Sequence, residues 1–286
     1  MKSRRGENPS SRSSPSEPAA DSLHQLLRIA REAAHRGAQV LSRRFGKIDP
    51  SQARKKGPKD FVTDVDHEAE EAVVGFLQRE TPEVGILAEE RPAKSNLEAL
   101  SWVIDPLDGT TNFIHTYPLF AVSVGLVRGR EPLVGVVVDP LREEEFTALR
   151  GGGAFLNGSR LHVSQAQSLG SALVATGFPF RAVALLDSYL RSLEAMIRAV
   201  AGVRRDGSAA LDLCYVACGR VDAFWELKLS AWDIAAGSLM VTEAGGRVSD
   251  FSGGDSQWNT GDILASNGHL HPGLTRLLRE SFPGYA

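Results

Sequence analysis

The chain has 286 residues, 42% of them hydrophobic, and a formal net charge of −3, enough for one large or two smaller domains with an ample core. Lys and Arg are scattered rather than striped, which excludes nucleic acid as the default partner. No apolar run approaches the roughly 20 residues that span a bilayer, so no membrane role is expected.

Residues 1–20 are rich in Ser, Pro and charge with almost nothing to bury, and are expected to form a disordered tail. Basic residues there precede no apolar stretch, so the segment does not read as a secretory signal. From Ser22 to Phe45, Leu23, Leu26, Leu27, Ala30, Ala34, Ala38 and Leu41 recur at helical spacing. A mobile basic link over Ser51–Lys59 follows, in which Lys55 either reaches a ligand or merely decorates the link. Asp60 to Asp66 then opens a second helix through Ala69, Val73, Phe76 and Leu77, where Asp66 could serve as a cap. Gly85–Ala88 reads as a short strand ending in the acids Glu89 and Glu90.

The stretch from Trp102 to Phe113 is an apolar strand running into a polar turn, Asp105-Pro106-Leu107-Asp108-Gly109-Thr110-Thr111. Two carboxylates flanking a proline attract a hard cation, and N–H groups at a helix start attract an anion. The same residues also suit an ordinary strand-to-helix turn with an N-cap, and both readings stay open. Phe120–Val127 and Pro132–Val138 are continuous apolar runs, expected as a hairpin of strands buried on both faces. Phe146–Leu149, Gly151–Leu156 and Arg160–Val163 continue the sheet, with Asn157-Gly158 as a tight turn.

A change of composition after Ser164 suggests a second unit, beginning with a strand at Ala172–Thr176 and a helix over Leu185–Ala199. Val203 to Asp206 leads into Ser208, which can cap an apolar helix ending at Gly219. That helix stacks Cys214 and Cys218 on one face as core residues. The pair indicates neither a disulfide framework nor a zinc site, and fits a cytoplasmic home. A strand from Asp222 carries Glu226 near its end, as an ordinary exposed acid or a site residue. Ser230 and Asp233 form a capping box for a helix closed by Gly245-Gly246. Strands at Val248–Asp250 and Ile263–Ser266 and a helix over His271–Phe282 complete a layered α/β arrangement. Acids at element ends recur at Asp66, Glu89, Asp105, Asp108, Glu226 and Asp233, and carboxylates gathered in one crevice generally imply metal ions. No His-x-x-x-His pair, G-x-S-x-G elbow or G-x-x-x-x-G-K-[ST] loop is present, which disfavours serine-hydrolase and P-loop chemistry.

Asp60 to Asp66, Ala88-Glu89-Glu90, Trp102 to Phe113, and Trp232 to Gly237 with Glu243 to Gly246 together resemble the inositol monophosphatase family, in its order and spacing. The resemblance spans about residues 22–280 and implies an alternating α-β-α-β-α sandwich of the inositol monophosphatase and fructose-1,6-bisphosphatase type. It divides the chain into a metal-binding unit at 21–164 and a substrate-binding unit at 165–286. The implied activity is Mg²⁺-dependent hydrolysis of inositol 1-phosphate to inositol and phosphate, with two to three ions, lithium sensitivity and a homodimer. By position, Glu89, Asp105 and the Leu107 carbonyl match one magnesium site, and Asp105, Asp108 and Asp233 a second. Thr110 with Asp66 matches the group that activates water, while Glu89 holds the ion that acidifies it. The N–H groups of Gly109 and Thr110 match a phosphate cradle, and Gly207, Ser208, Ala209 and Glu226 match the polyol pocket. Fructose 1,6-bisphosphate, histidinol phosphate, NADP and 3′-phosphoadenosine 5′-phosphate are alternative substrates for the same chemistry. A non-catalytic partnership with the transcription apparatus is the alternative of a different class.

Overall fold

A computed structural model describes residues 20–48, 54–57, 60–91, 99–180 and 182–283. Residues 1–19 of the expected tail therefore lie outside the described ones. The long N-terminal helix α1 (Ala20–Arg44) buries Ala30, Ala33, Ala34, Ala38 and Leu41, and α2 (Asp64–Glu80) buries Val65, Ala69, Val73 and Leu77 beside it. The small residues let α1 settle closely. A Cβ on Gly37 would stand 2.8 Å from Val73 and 3.2 Å from Val122 of the underlying sheet.

That sheet has seven strands: β3 (Gly85–Ala88), β4 (Leu100–Asp108), β5 (Ala121–Arg128), β6 (Glu131–Asp139), β7 (Glu144–Leu149), β8 (Gly153–Leu156) and β9 (Ser159–Arg160), paired in that order. All neighbours are antiparallel except β3 and β4. A second, five-stranded sheet runs β11-β10-β12-β14-β13, formed by β10 (Leu173–Thr176), β11 (Gly202–Arg204), β12 (Ala223–Glu226), β13 (Arg247–Ser249) and β14 (Ile263–Ser266). The helices α5 (Ala209–Ala217) and α6 (Ala231–Glu243) lie between the two sheets. Outside the second sheet lie α4 (Leu186–Ala199) and α8 (His271–Ser281), while α1 and α2 cover the far side of the first. The order of layers is thus α-β-α-β-α. The apolar runs of β5 and β6 follow from their position, since α1 packs on one face and α6 on the other. No helix among the described residues is long and apolar enough to cross a membrane.

Three expectations are corrected. The basic link contains an antiparallel pair, β1 (Arg54–Gly57) with β2 (Asp60–Val62), in which Lys55 faces Phe61 across the ladder. Ladder hydrogen bonding there overrides the weak strand preference of lysine and glycine. Val203 lies in strand β11 rather than a connecting loop, parallel to β10. The strand expected over Arg160–Val163 stops at Arg160, and Leu161 only touches the sheet through its N–H to the Ala154 carbonyl at 2.8 Å.

Two glycines fix where α6 sits. Gly125 and Gly135 face each other across β5 and β6. A Cβ on Gly125 would come 2.9 Å from the Ala235 Cβ, and one on Gly135 would come 2.9 Å from the Ala236 carbonyl oxygen. Helix backbone therefore rests almost directly on sheet backbone. Gly125→Ala is expected to cost about 1–3 kcal/mol, the usual cost of overpacking. Thermal and urea melts measure this, and an unaltered midpoint would contradict close seating of α6.

Candidate active site

Strand β4 does not end where a polar turn was expected; it continues to Asp108. Asp105 pairs with Ser123 and Asp108 with Ala121, so β4 carries one extra residue between them. Such a bulge re-aims side chains near a strand end, and here Pro106, which has no N–H to give the ladder, occupies it. Asp105 Oδ1 accepts from the Leu107 N–H at 2.9 Å. Beyond it, Gly109 adopts φ +95°, which a side chain would strain. A Cβ there would also approach the Leu119 and Gly207 carbonyl oxygens to 3.1 and 3.3 Å. One helical turn, α3 (Thr110–Ile114), follows.

Asp233 comes from the far side of the site, as the third residue of α6. Both readings of its sequence context hold. Its Oδ2 accepts from the Ser230 N–H at 2.6 Å, closing the capping box, and it joins Asp105 and Asp108 in a buried cluster whose ligand oxygens lie within 4.8 Å of one another. Glu89, immediately after β3, is half-buried and its N–H bonds the Ile104 carbonyl at 3.2 Å.

These carboxyls resist ionisation together. Burial pushes Asp105 well above the usual carboxylate range, and the charges of Glu89, Asp108 and Asp233 push it further. Burial raises Asp108 to about 6 even though Ser208 and the Ala210 N–H hold it down. A divalent cation removes this conflict, so the donor set fits one: oxygen-only ligands, several of them carboxylates, suit magnesium. The residues able to hold it are Glu89, Asp105, Asp108, Asp233 and the Leu107 carbonyl.

Asp66 is likewise both a cap and more than a cap. Its Oδ2 accepts from the Thr63 N–H at 2.7 Å and hydroxyl at 2.6 Å, at the start of α2. Its Oδ1 lies 3.0 Å from the Thr110 hydroxyl. The Leu107 carbonyl lies 3.0 Å from that same hydroxyl. One hydroxyl proton serves only one acceptor at a time, so Asp66 and Leu107 compete for it.

A cavity of about 180 Å³ opens over the cluster, lined by Glu89, Asp105, Leu107, Asp108, Gly109, Thr110, Gly207, Ala209, Glu226 and Asp233. Two further expected residues stand behind this wall rather than in it: Asp66 and Ser208 are each 1% exposed. Ser208 caps α5 and its hydroxyl donates to Asp108 Oδ2 at 2.6 Å, beside the Ala210 N–H at 2.7 Å. Ser208→Ala is expected to lose about 1–2 kcal/mol of stability through the missing cap and charged hydrogen bond. It also raises the Asp108 pKa, so cation binding, which needs the carboxylate, should weaken on the acid side. With Asp108 starting at about 6, an upward shift of one unit means about fivefold weaker binding at pH 6, with little change at pH 8. Calorimetric titration with Mg²⁺ across that range measures it.

Glu226 ends β12 at the opposite wall, where Gly177 lets it in: a Cβ on Gly177 would fall 1.9 Å from the Glu226 carboxyl carbon. The loop bearing Gly207 is tied to the β4 turn by Asn112, whose Nδ2 donates to the Leu119 carbonyl at 2.8 Å and the Asp206 carbonyl at 2.9 Å. Lys55 belongs to β1, but its side chain lies outside the described residues.

Residue types alone did not reveal the mouth. Phe178, Phe180, Arg205 and Lys228 also line the cavity, and the Arg205 guanidinium sits 5.3 and 5.4 Å from the centres of the Phe178 and Phe180 rings. The available signal was Phe178-Pro179-Phe180, two bulky aromatics around a proline just past a strand. Asp212 was also missed. It is buried behind Ala209, and burial holds its carboxyl well above the usual range, reinforced by Asp206, Glu226 and Asp108.

The inositol monophosphatase family model matches residues 22–282. A Pseudomonas aeruginosa protein named Nus factor SuhB is 45% identical over 267 residues, covering 91% of this chain and 98% of its own. An inositol-1-monophosphatase of Mesorhizobium japonicum is 43% identical, covering 89% of this chain and 96% of its own. Among solved structures, the extragenic suppressor protein suhB of Bartonella henselae superposes with a TM-score of 0.85 at 40% identity, covering 90% of this chain and 100% of that one.

Proposed function

Because this chain belongs to the inositol monophosphatase family, we propose that it is a Mg²⁺-dependent phosphomonoesterase acting on inositol 1-phosphate or a similar small polyol phosphate. The observation that carries this is the cluster of Asp105, Asp108 and Asp233, three buried carboxyls with ligand oxygens within 4.8 Å. Buried acids this close are stable in their charged form only beside a cation. Glu89, Asp105, Asp108, Asp233 and the Leu107 carbonyl would hold two to three ions, which would supply Lewis acidity toward water and phosphate.

The chain's own groups do the positioning. Thr110 Oγ1 accepts a hydrogen bond from the attacking water and passes its own proton toward Asp66 Oδ1, 3.0 Å away. When the Leu107 carbonyl is engaged elsewhere, Asp66 is the remaining acceptor, which orients the hydroxyl. The N–H groups of Gly109 and Thr110 lie at the turn where the phosphate oxygens would rest. Gly207, Ala209 and Glu226 form the wall against which polyol hydroxyls pack, with Glu226 as acceptor. Ser208 acts from behind, by holding Asp108. A homodimer, as the family resemblance implies, and a cytoplasmic home, which the two core cysteines fit, accompany this reading.

Phosphate release measured over a panel of polyol, sugar and nucleotide phosphates, with Mg²⁺ and with chelator, tests the proposal. Release that needs Mg²⁺ and is fastest on a polyol phosphate is expected, and a faster nucleotide or bisphosphate would reassign the substrate. The name of the P. aeruginosa relative favours a second reading, in which this chain also acts as a Nus factor. Such a role would survive variants that abolish phosphate release.

A further inference from the structure

One edge of the acidic cavity is held in a backbone conformation that glycine usually takes. Among the described residues four other than glycine have a positive φ, and of these Lys228, at +58°, is the one that lines this cavity. Such a backbone costs an L-residue stability and persists only where its surroundings enforce it.

The enforcing group is Asp262. Its side chain is 1% exposed, and its two oxygens take the Lys228 backbone N–H and ammonium at 3.1 Å each. The ammonium also donates to the Thr260 carbonyl at 3.2 Å, at the end of α7 (Gln257–Thr260). Beside it the Leu229 N–H donates to the Gly261 carbonyl at 2.8 Å, and a Cβ on Gly261 would overlap the Leu229 carbonyl oxygen. Lys228 and Leu229 are therefore fastened, backbone against backbone, to the turn that precedes β14.

The left-handed residue also redirects the chain. Trp225 and Leu227, two positions apart, both enter the core between the second sheet and the outer helices. Strand alternation would send Leu229 the same way. It packs instead against the core between the two sheets. Leu227, Lys228 and Leu229 form a continuous edge of the cavity, between Glu226 and Asp233.

We propose that Lys228 and Asp262 are positioning residues for the alcohol part of the substrate, a role that rests on the phosphatase reading above. The pair fixes the cavity edge, with the Glu226 carboxylate at its start, and so sets affinity for the polyol rather than the rate of cleavage. A glycine at 228 would reach the same φ without strain but would also leave it freely. It would offer Asp262 a single N–H and leave the other oxygen of a buried carboxylate without its cation. Lysine supplies both contacts from one residue, so the edge is ordered before substrate arrives. Asp105 and Asp233 are held separately, by the β4 bulge and the α6 capping box. Loss of the pair therefore reaches the substrate wall and not the cation.

Steady-state phosphate release at saturating Mg²⁺ tests this, on whichever phosphate the wild type turns over fastest, beside calorimetric Mg²⁺ titration and thermal melts. Lys228→Gly and Asp262→Asn should each raise KM about tenfold, the equivalent of one hydrogen bond. Both should keep kcat and Mg²⁺ affinity within about threefold of wild type, the pattern for lost binding that ground and transition states share. Lys228→Arg, which keeps a cation for Asp262, should return KM to within about threefold. Lys228→Gly suits the backbone and keeps the test decisive if Asp262→Asn folds poorly. Lower melting with unchanged KM would make the pair a support for the fold alone and overturn the proposal. A fall in Mg²⁺ affinity with KM unchanged would assign the pair to Asp233 and overturn it too. A wild type that releases no phosphate would overturn the phosphatase reading, and this inference with it, whereas the two preceding outcomes leave that reading standing.

Discussion

Asp105→Asn should reduce Mg²⁺-dependent phosphate release by about a thousandfold, at the upper end of what losing one preorganised electrostatic contact costs. Asp105 is the most buried of the three clustered carboxyls, at 2% exposure, and it feels the charges of Glu89, Asp108 and Asp233 together. An amide of the same shape keeps the fold and removes the charge that ties both sides of the site. Stability should move the opposite way. Because the folded-state pKa of Asp105 is raised, ionisation destabilises the cation-free protein as pH rises above the unfolded value near 4. Asp105→Asn removes that penalty, so with chelator at pH 7 it should melt higher than wild type, whereas with Mg²⁺ the gain should shrink or reverse. Phosphate-release kinetics and paired melts read both effects. Near-normal turnover would remove Asp105 from the chemistry.

Thr110→Val should lower kcat by about a hundredfold to ten-thousandfold, the range for loss of a positioned acid–base group. The substitution is nearly isosteric, and the cluster of Asp105, Asp108 and Asp233 does not include it. Mg²⁺ affinity and KM should therefore stay within a few-fold of wild type while kcat falls. That pattern marks an interaction used mainly in the transition state. Equal loss of Mg²⁺ binding would instead make Thr110 a support for the cation site. Asp66 is a poorer target for the same question, because it also closes the capping box at Thr63, and its loss would mix stability with rate.

The acids that gather in the cavity were legible because each stands at an element end, where no packing argument accounts for several at once. Their double duty was less legible. Asp66 and Asp233 satisfy capping rules completely, so local patterns gave equal support to a cap and to a site. Only tertiary folding, which brings Thr110 to Asp66 and the Asp105 bulge to Asp233, separates the two. Ser208 illustrates the opposite difficulty. A capping serine and a serine that steadies a buried carboxylate look identical in sequence, and here one hydroxyl does both. The layers were readable from two-sided apolar runs such as β5 and β6. The pair β1 and β2 was not, because ladder bonds rather than side chains define it. Arg205 between Phe178 and Phe180 brings together residues about 25 positions apart, beyond any local pattern.

The glycine pair at Gly125 and Gly135 also bears on which ion the site would accept. Asp105 rides on the sheet and Asp233 on α6, so the spacing of their backbones follows from how closely the glycines let that helix sit on the sheet. A gap set in this way is a gauge of ionic radius. Magnesium binds oxygen at about 2.0–2.1 Å and calcium at about 2.3–2.6 Å. The larger ion would have to be met by outward rotation of the carboxylates on a frame that does not itself widen, so the close seating of helix on sheet would bias the site toward the smaller ion.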